Sequence, residues 1–138
     1  MSLHAGMADS KTEAALAYCQ AWLHRDGAAL GGLLSPDIVV VECYGPEYRG
    51  LEEVQAWFAG WHAQGGRVLA WDVTEAGAFR GGVCLKWRFC CRWDGRESCF
   101  DGVSLMDFDE GGRISRIEEY SAKAEHIRPY RKEGKGDV

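Results

Sequence analysis

Asp94-Gly95 limits the possible folds of this chain more than any other feature of its sequence. Asp-Gly is a preferred type I′ hairpin turn, because both central residues need positive φ. Counting outward from that tip fixes a register. Arg92 falls opposite Glu97, Cys90 opposite Cys99 and Arg88 opposite Asp101, all on one face. On the other face Phe89 meets Phe100, Trp87 meets Gly102, Leu85 meets Ser104 and Val83 meets Met106. Two opposite-charge pairs and one aromatic pair fall into place together, as cross-strand pairing demands. A slip of one residue scrambles both faces. Cys90 and Cys99 are predicted to oppose each other at a non-hydrogen-bonded site, with Cα atoms about 4.5 Å apart, as thiols that are reduced in a cytosol but that air oxidation could link.

A second hairpin turns at Gly111-Gly112. A two-residue turn there sets Ser104 opposite Glu119 and Asp107 opposite Arg116. A four-residue loop shifts the pairing by two and keeps the faces. Ser115, Ile117 and Glu119 then extend the Trp87 face, and Ile114, Arg116, Glu118 and Tyr120 the Arg88 face. Other strand breaks are predicted at Gly77 and Gly81-Gly82.

The first half reads as helical. Ser10-Lys11-Thr12-Glu13 has capping-box spacing, so the first helix is expected to begin near Ser10. Ala15, Tyr18, Cys19 and Trp22 follow at i, i+3, i+4 and i+7, one apolar face. Asp26 caps a short second helix from Ala28 to Leu34. Ser35-Pro36-Asp37 is a predicted turn and Ile38–Val41 a β-branched strand. A loop from Tyr44 to Gly50 leads to a third helix, where Leu51, Val54, Trp57, Phe58 and Trp61 keep helical spacing up to Gly65-Gly66. Helices first and a strand meander after is an α+β arrangement, with the helices on one sheet face.

Composition fits one soluble domain of 138 residues, long enough to bury a core without a metal or disulfide. A net charge of −5 and the lack of a basic stripe argue against nucleic acid as a partner. No apolar run reaches the length of a membrane span. The first residues carry no apolar signal segment, so the expected location is cytoplasmic and the six cysteines are expected to be reduced. Their spacing includes no Cys-x-x-Cys pair, and no metal site is expected. Residues 1–9 read as a disordered leader or cloning scar, 10–127 as one domain and 128–138 as a mobile polar tail.

The chain resembles the nuclear-transport-factor-2-like superfamily, in particular its SnoaL-like polyketide cyclase branch. The resemblance rests on Trp22-Leu23-His24-Arg25-Asp26-Gly27, on Leu33-Leu34-Ser35-Pro36-Asp37-Ile38, on Tyr48-Arg49-Gly50-Leu51-Glu52-Glu53 and on Phe108–Tyr120. It implies a cystatin-like cone: a strongly bent, mostly antiparallel sheet wrapped around three N-terminal helices, with a pocket inside. A ketosteroid isomerase of this fold needs acids and a tyrosine where this chain aligns Cys19, Cys43 and Ser104. An epoxide hydrolase needs polar groups where it aligns Val41, Cys43, Leu85 and Trp87. Of those groups only the last carboxylate, at Glu119, survives.

Glu119 is therefore the candidate catalytic acid or base, aimed by register at an apolar face and raised in pKa by burial. The candidate pocket lining is Cys19, Trp22, Cys43, Trp57, Trp61, Leu85, Trp87, Phe89, Phe100, Ser104, Met106 and Ile117. No cofactor is expected. The partners expected are a small apolar molecule and a second copy of the chain, docked through the outer sheet face. There Val103, Leu105 and Tyr120 are ringed by Lys86, Arg88, Asp101 and Arg116. Two functions fit these residues: cofactor-free proton transfer of the isomerase, cyclase or dehydratase type, or a non-catalytic ligand-binding or dimerisation module.

Overall fold

The structure, a computed structural model, describes residues 4–131, with side chains from Ser10 onward. Helix α1 spans His4–Leu23, a single 3-10 turn covers Gly27–Ala29, and α2 is one turn, Leu30–Leu33. Strand β1 (Leu34–Val41) and a short β2 (Glu47–Arg49) lead to α3 (Leu51–Ala63). Four long strands follow: β3 (Arg67–Phe79), β4 (Gly82–Trp93), β5 (Arg96–Phe108) and β6 (Ile114–Lys123). They form one sheet in the order β2-β1-β6-β5-β4-β3. Only the β1/β6 contact is parallel. The chain is thus an α+β cone, with helices against the inner sheet face.

The Asp94-Gly95 hairpin sits in the predicted register, from Trp93 opposite Arg96 to Val83 opposite Met106. Asp94 and Gly95 have φ of 55° and 75°, as a type I′ turn requires. Arg88 binds Asp101 at 2.8 Å and Arg92 binds Glu97 at 2.6 Å on the exposed face. Such solvated pairs stabilise little, because water and salt screen them, so they select the register more than they stabilise it. Cys90 and Cys99 are directly opposed as predicted, with Cα atoms 4.1 Å apart. They are joined as a disulfide, which corrects the expectation of free thiols. Direct opposition of the close kind puts both sulfurs within bonding reach.

Several element limits differ from expectation. Helix α1 already runs at His4, ahead of the Ser10 capping box: residues 4–9 contain no proline, and the helix formers Ala5, Met7 and Ala8 flank Gly6. Residues 1–3 of the leader and 132–138 of the tail lie outside the described residues. Ser35-Pro36-Asp37 is part of β1, not a separate turn. The turn chemistry survives as an irregularity: the Asp37 N–H donates to Ser35 Oγ at 3.1 Å, and the β1/β6 register shifts between Leu34 and Val39. The Tyr44–Gly50 loop contains β2, paired with β1 through Val40 and Tyr48. Gly77 does not interrupt β3. Ser104 does oppose Glu119, and Asp107 opposes Arg116. A bulge then shifts the pairing to Phe108 with Ile114, which turns Ile114 inward; it is fully buried, not on the outer face.

Candidate functional site

The narrow end of the cone is solid. Leu30, Leu34, Leu85, Met106, Ile114 and Ile117 have at most 1% of their surface exposed. Toward the other end the sheet and the helices diverge, and a cavity of about 840 Å³ opens between them. Strand alternation chooses its sheet-side lining. On β4 the inward series Trp87, Phe89, Cys91 and Trp93 reaches the cavity; on β5 it is Phe100 and Ser98, and on β6 Glu119. Helix α1 adds Tyr18 and Trp22, and α3 adds Trp57 and Trp61.

Of the residues expected at the pocket, Trp22, Cys43, Trp57, Trp61, Trp87, Phe89, Phe100 and Glu119 border this cavity. Cys19, Leu85, Ser104, Met106 and Ile117 do not; all five are at most 1% exposed and sit within the packed core. They lie on the inward face but toward the narrow end, or, for Cys19, one helical step away from it. Ser104 has a structural task instead. Its Oγ accepts the Trp87 indole N–H at 2.9 Å and so fixes the ring that forms the cavity floor. Ser104→Ala leaves that buried N–H without a partner and is expected to cost about 1–3 kcal/mol in urea unfolding. An unchanged midpoint would contradict this role.

Sequence reasoning missed Tyr18, Glu42, Tyr44, Tyr48, Trp71 and Trp93, all of which line the cavity. Two of them carried a readable signal. Tyr18 and Trp22 are four apart and share a helix face. Ile38 and Val40 alternate inward along β1, so Glu42 continues that side as the chain leaves the strand. Glu119 is consequently not the only carboxylate at the cavity.

Glu119 is enclosed by protein except where it faces the cavity, which leaves the residue half-buried. Burial pushes its carboxyl up to about 8, and the neighbouring Glu42 charge adds to the rise. Burial also raises Glu42, but the Tyr48 hydroxyl opposes that rise by donating to Oε1 at 3.2 Å. The two acids are thus pushed apart, with Glu119 the more readily protonated. The Tyr18 phenol is fully buried; the Trp22 indole N–H lies against its oxygen, while its own O–H finds no acceptor. Burial first, then the Glu119 charge, holds it well above its ordinary pKa, and the Trp22 contact opposes that rise. The indole N–H of Trp71 is likewise buried without an acceptor. The Tyr18 O–H and the Trp71 N–H therefore lack an acceptor atom at the cavity that Glu119 also lines. Burial also raises the thiols of Cys19, Cys43 and Cys91, so none is primed as a nucleophile. Among the described residues no group of three or more His, Cys, Asp or Glu is placed to hold a metal ion. No helix among them is long and apolar enough to cross a membrane.

Residues 15–117 match the SnoaL-like domain, and the chain belongs to that family. No curated protein matches the sequence. Solved structures share the fold at low identity. One is a hypothetical protein with a ketosteroid isomerase-like fold from Catenulispora acidiphila, in complex with trimethylamine. It is 22% identical, with 81% of this chain and 86% of that one covered and a TM-score of 0.69. A protein from Shewanella denitrificans, described as a SnoaL-like polyketide cyclase, is 18% identical over 81% and 90%, with a TM-score of 0.69. An LEH-like epoxide hydrolase from M. tuberculosis is 17% identical over 83% and 84%, with a TM-score of 0.72.

Proposed function

We propose that the cavity binds a small, largely apolar molecule and that Glu119 moves a proton on it without a cofactor. The observation that carries this is the pairing of an enclosed carboxyl, raised to about 8, with a Tyr18 O–H that finds no acceptor at the same cavity. A pKa near the working pH suits a group that must both give and take a proton. In the first half of the reaction the Glu119 carboxylate takes a proton from carbon beside a carbonyl. The carbonyl oxygen, turning to enolate, accepts from the Tyr18 O–H, as a preorganised donor in a water-poor site favours. Return of the proton to another carbon is isomerisation. Attack of the enolate carbon on a second carbonyl is cyclisation. The aromatic walls hold the apolar body and exclude water.

Deuterium wash-in at the α-carbon of 2-tetralone, followed by proton NMR in D₂O, tests this. The expected result is exchange above the buffer rate that Glu119→Gln lowers at least ~100-fold. Exchange undiminished in Glu119→Gln overturns the enzyme, and a purely ligand-binding module takes its place.

We further propose a homodimer docked through the outer sheet face; the Cys90–Cys99 disulfide speaks against the cytoplasmic location expected from the sequence. Tyr120 is 55% exposed on the outer face, beside the half-buried Val103 and Leu105. Sedimentation at tens of micromolar, a concentration chosen to lie above ~1 μM affinities, is expected to give a dimer. A monomer there contradicts the outer-face interface.

A further inference from the structure

Within that small-molecule cavity, on which the following rests, the Glu42 side has a chemistry of its own. Tyr48, whose hydroxyl holds Glu42, stacks on Trp57 with ring centres 4.3 Å apart and planes 11° apart. Trp57 in turn packs on Trp22 at 4.7 Å. A carboxylate and an aromatic wall are thus continuous.

The charged residues around the cavity are Glu42, Glu119, Arg96 and Glu97. Arg96 and Glu97 are exposed on the hairpin tip, and Glu97 is tied to Arg92. Among the described residues the interior therefore holds two carboxyl groups, no cation and walls of aromatic rings.

We propose that the Glu42–Tyr48–Trp57 corner recognises an alkylated ammonium group carried by the ligand. A cation is attracted both by the carboxylate and by the negative faces of aromatic rings, with tryptophan the strongest. Alkylation matters. A primary ammonium brings three N–H donors that need acceptors. This corner offers one carboxylate, and Tyr48 already donates to it. A tertiary or quaternary ammonium asks for few or none, and its alkyl groups suit the rings.

The cavity is larger than such a head group, which leaves room for an apolar body against Trp61, Trp93 and Phe89. The Tyr18 O–H and the Trp71 N–H, which find no acceptor, add a separate requirement, an oxygen acceptor on the same molecule. The ligand class that meets all three demands is an apolar ketone bearing an alkylated amine.

Calorimetric and tryptophan-fluorescence titration with phenyltrimethylammonium and with tert-butylbenzene, its neutral isostere, tests the site. The wild-type protein is expected to bind the cation about tenfold tighter than the isostere. Glu42→Gln is expected to erase that preference while still binding the isostere, which also reports that the variant is folded. Equal affinities, no binding of the cation, or a preference unchanged in Glu42→Gln overturns the ammonium site. The wild-type comparison decides the matter even where the variant does not fold. Glu119-dependent exchange of 2-tetralone surviving such a result would leave the proton-transfer function standing without the ammonium site.

Discussion

Glu119→Gln is expected to flatten the fall in stability of this protein between about pH 5 and pH 8. In the unfolded chain Glu119 titrates near its ordinary 4.5, whereas burial in the fold pushes it up to about 8. Between those values the native state holds a proton that the unfolded state has released. Stability therefore falls as pH rises through the window, by at most about 1.4 kcal/mol per pH unit for one such group, and levels off above about 8. Cavity water softens the penalty, so a total of about 2–4 kcal/mol is a reasonable expectation. Glutamine has the same shape and no titration. Urea unfolding from pH 5 to pH 9 should show the wild type losing that stability and the variant keeping most of it. Glu42, also raised by burial, leaves a smaller residual slope in both proteins. Parallel curves would mean that Glu119 is solvated like a surface carboxylate.

Gly102→Ala is expected to be among the most damaging single-methyl additions in the chain. Gly102 pairs with Trp87 across β4 and β5, and the indole lies over its bare backbone. An added Cβ would come within 2.5 Å of the Trp87 ring and would collide with the Tyr120 carbonyl oxygen. Neither neighbour has freedom to yield. Trp87 is held by its bond to Ser104 and packed edge-on against Trp71 and Phe100; the Tyr120 carbonyl belongs to the β5/β6 ladder. Overpacking of this kind costs about 3 kcal/mol. That corresponds to a drop of about 10 °C in Tm for a chain of this size, read by circular dichroism. An unchanged Tm would show that the sheet relaxes freely at this point.

The hairpins were legible because their information is local. A turn that needs two positive φ values fixes the register, and the register fixes the faces of Trp87, Phe89, Phe100 and Glu119 without any knowledge of the helices. The third helix was legible for a similar reason, since Leu51, Val54, Phe58 and Trp61 repeat at its own period. Depth was not legible. Periodicity says which way Leu85, Ser104, Met106 and Ile117 point, not how far along the cone the packing stays solid, and these four lie in the closed end. Resemblance also misled by one position on the first helix, where it directed attention to Cys19 and Tyr18 is the residue at the cavity. It placed Cys43 correctly at the cavity but passed over the neighbouring Glu42. For Glu42 the local alternation of Ile38 and Val40 was the better guide. The Ile114 bulge depends on how β6 meets β1 and β5 together, which no single hairpin encodes.

The account turns on the state of one side chain. Carbon-13 NMR of carboxyl-labelled glutamate, with Glu119→Gln used to assign the resonance, measures that state directly. The account predicts a Glu119 carboxyl that titrates with a midpoint near 8 and is still largely protonated at pH 7. A midpoint near the ordinary 4.5 would contradict it, and with it the case for Glu119 as the residue that moves the proton.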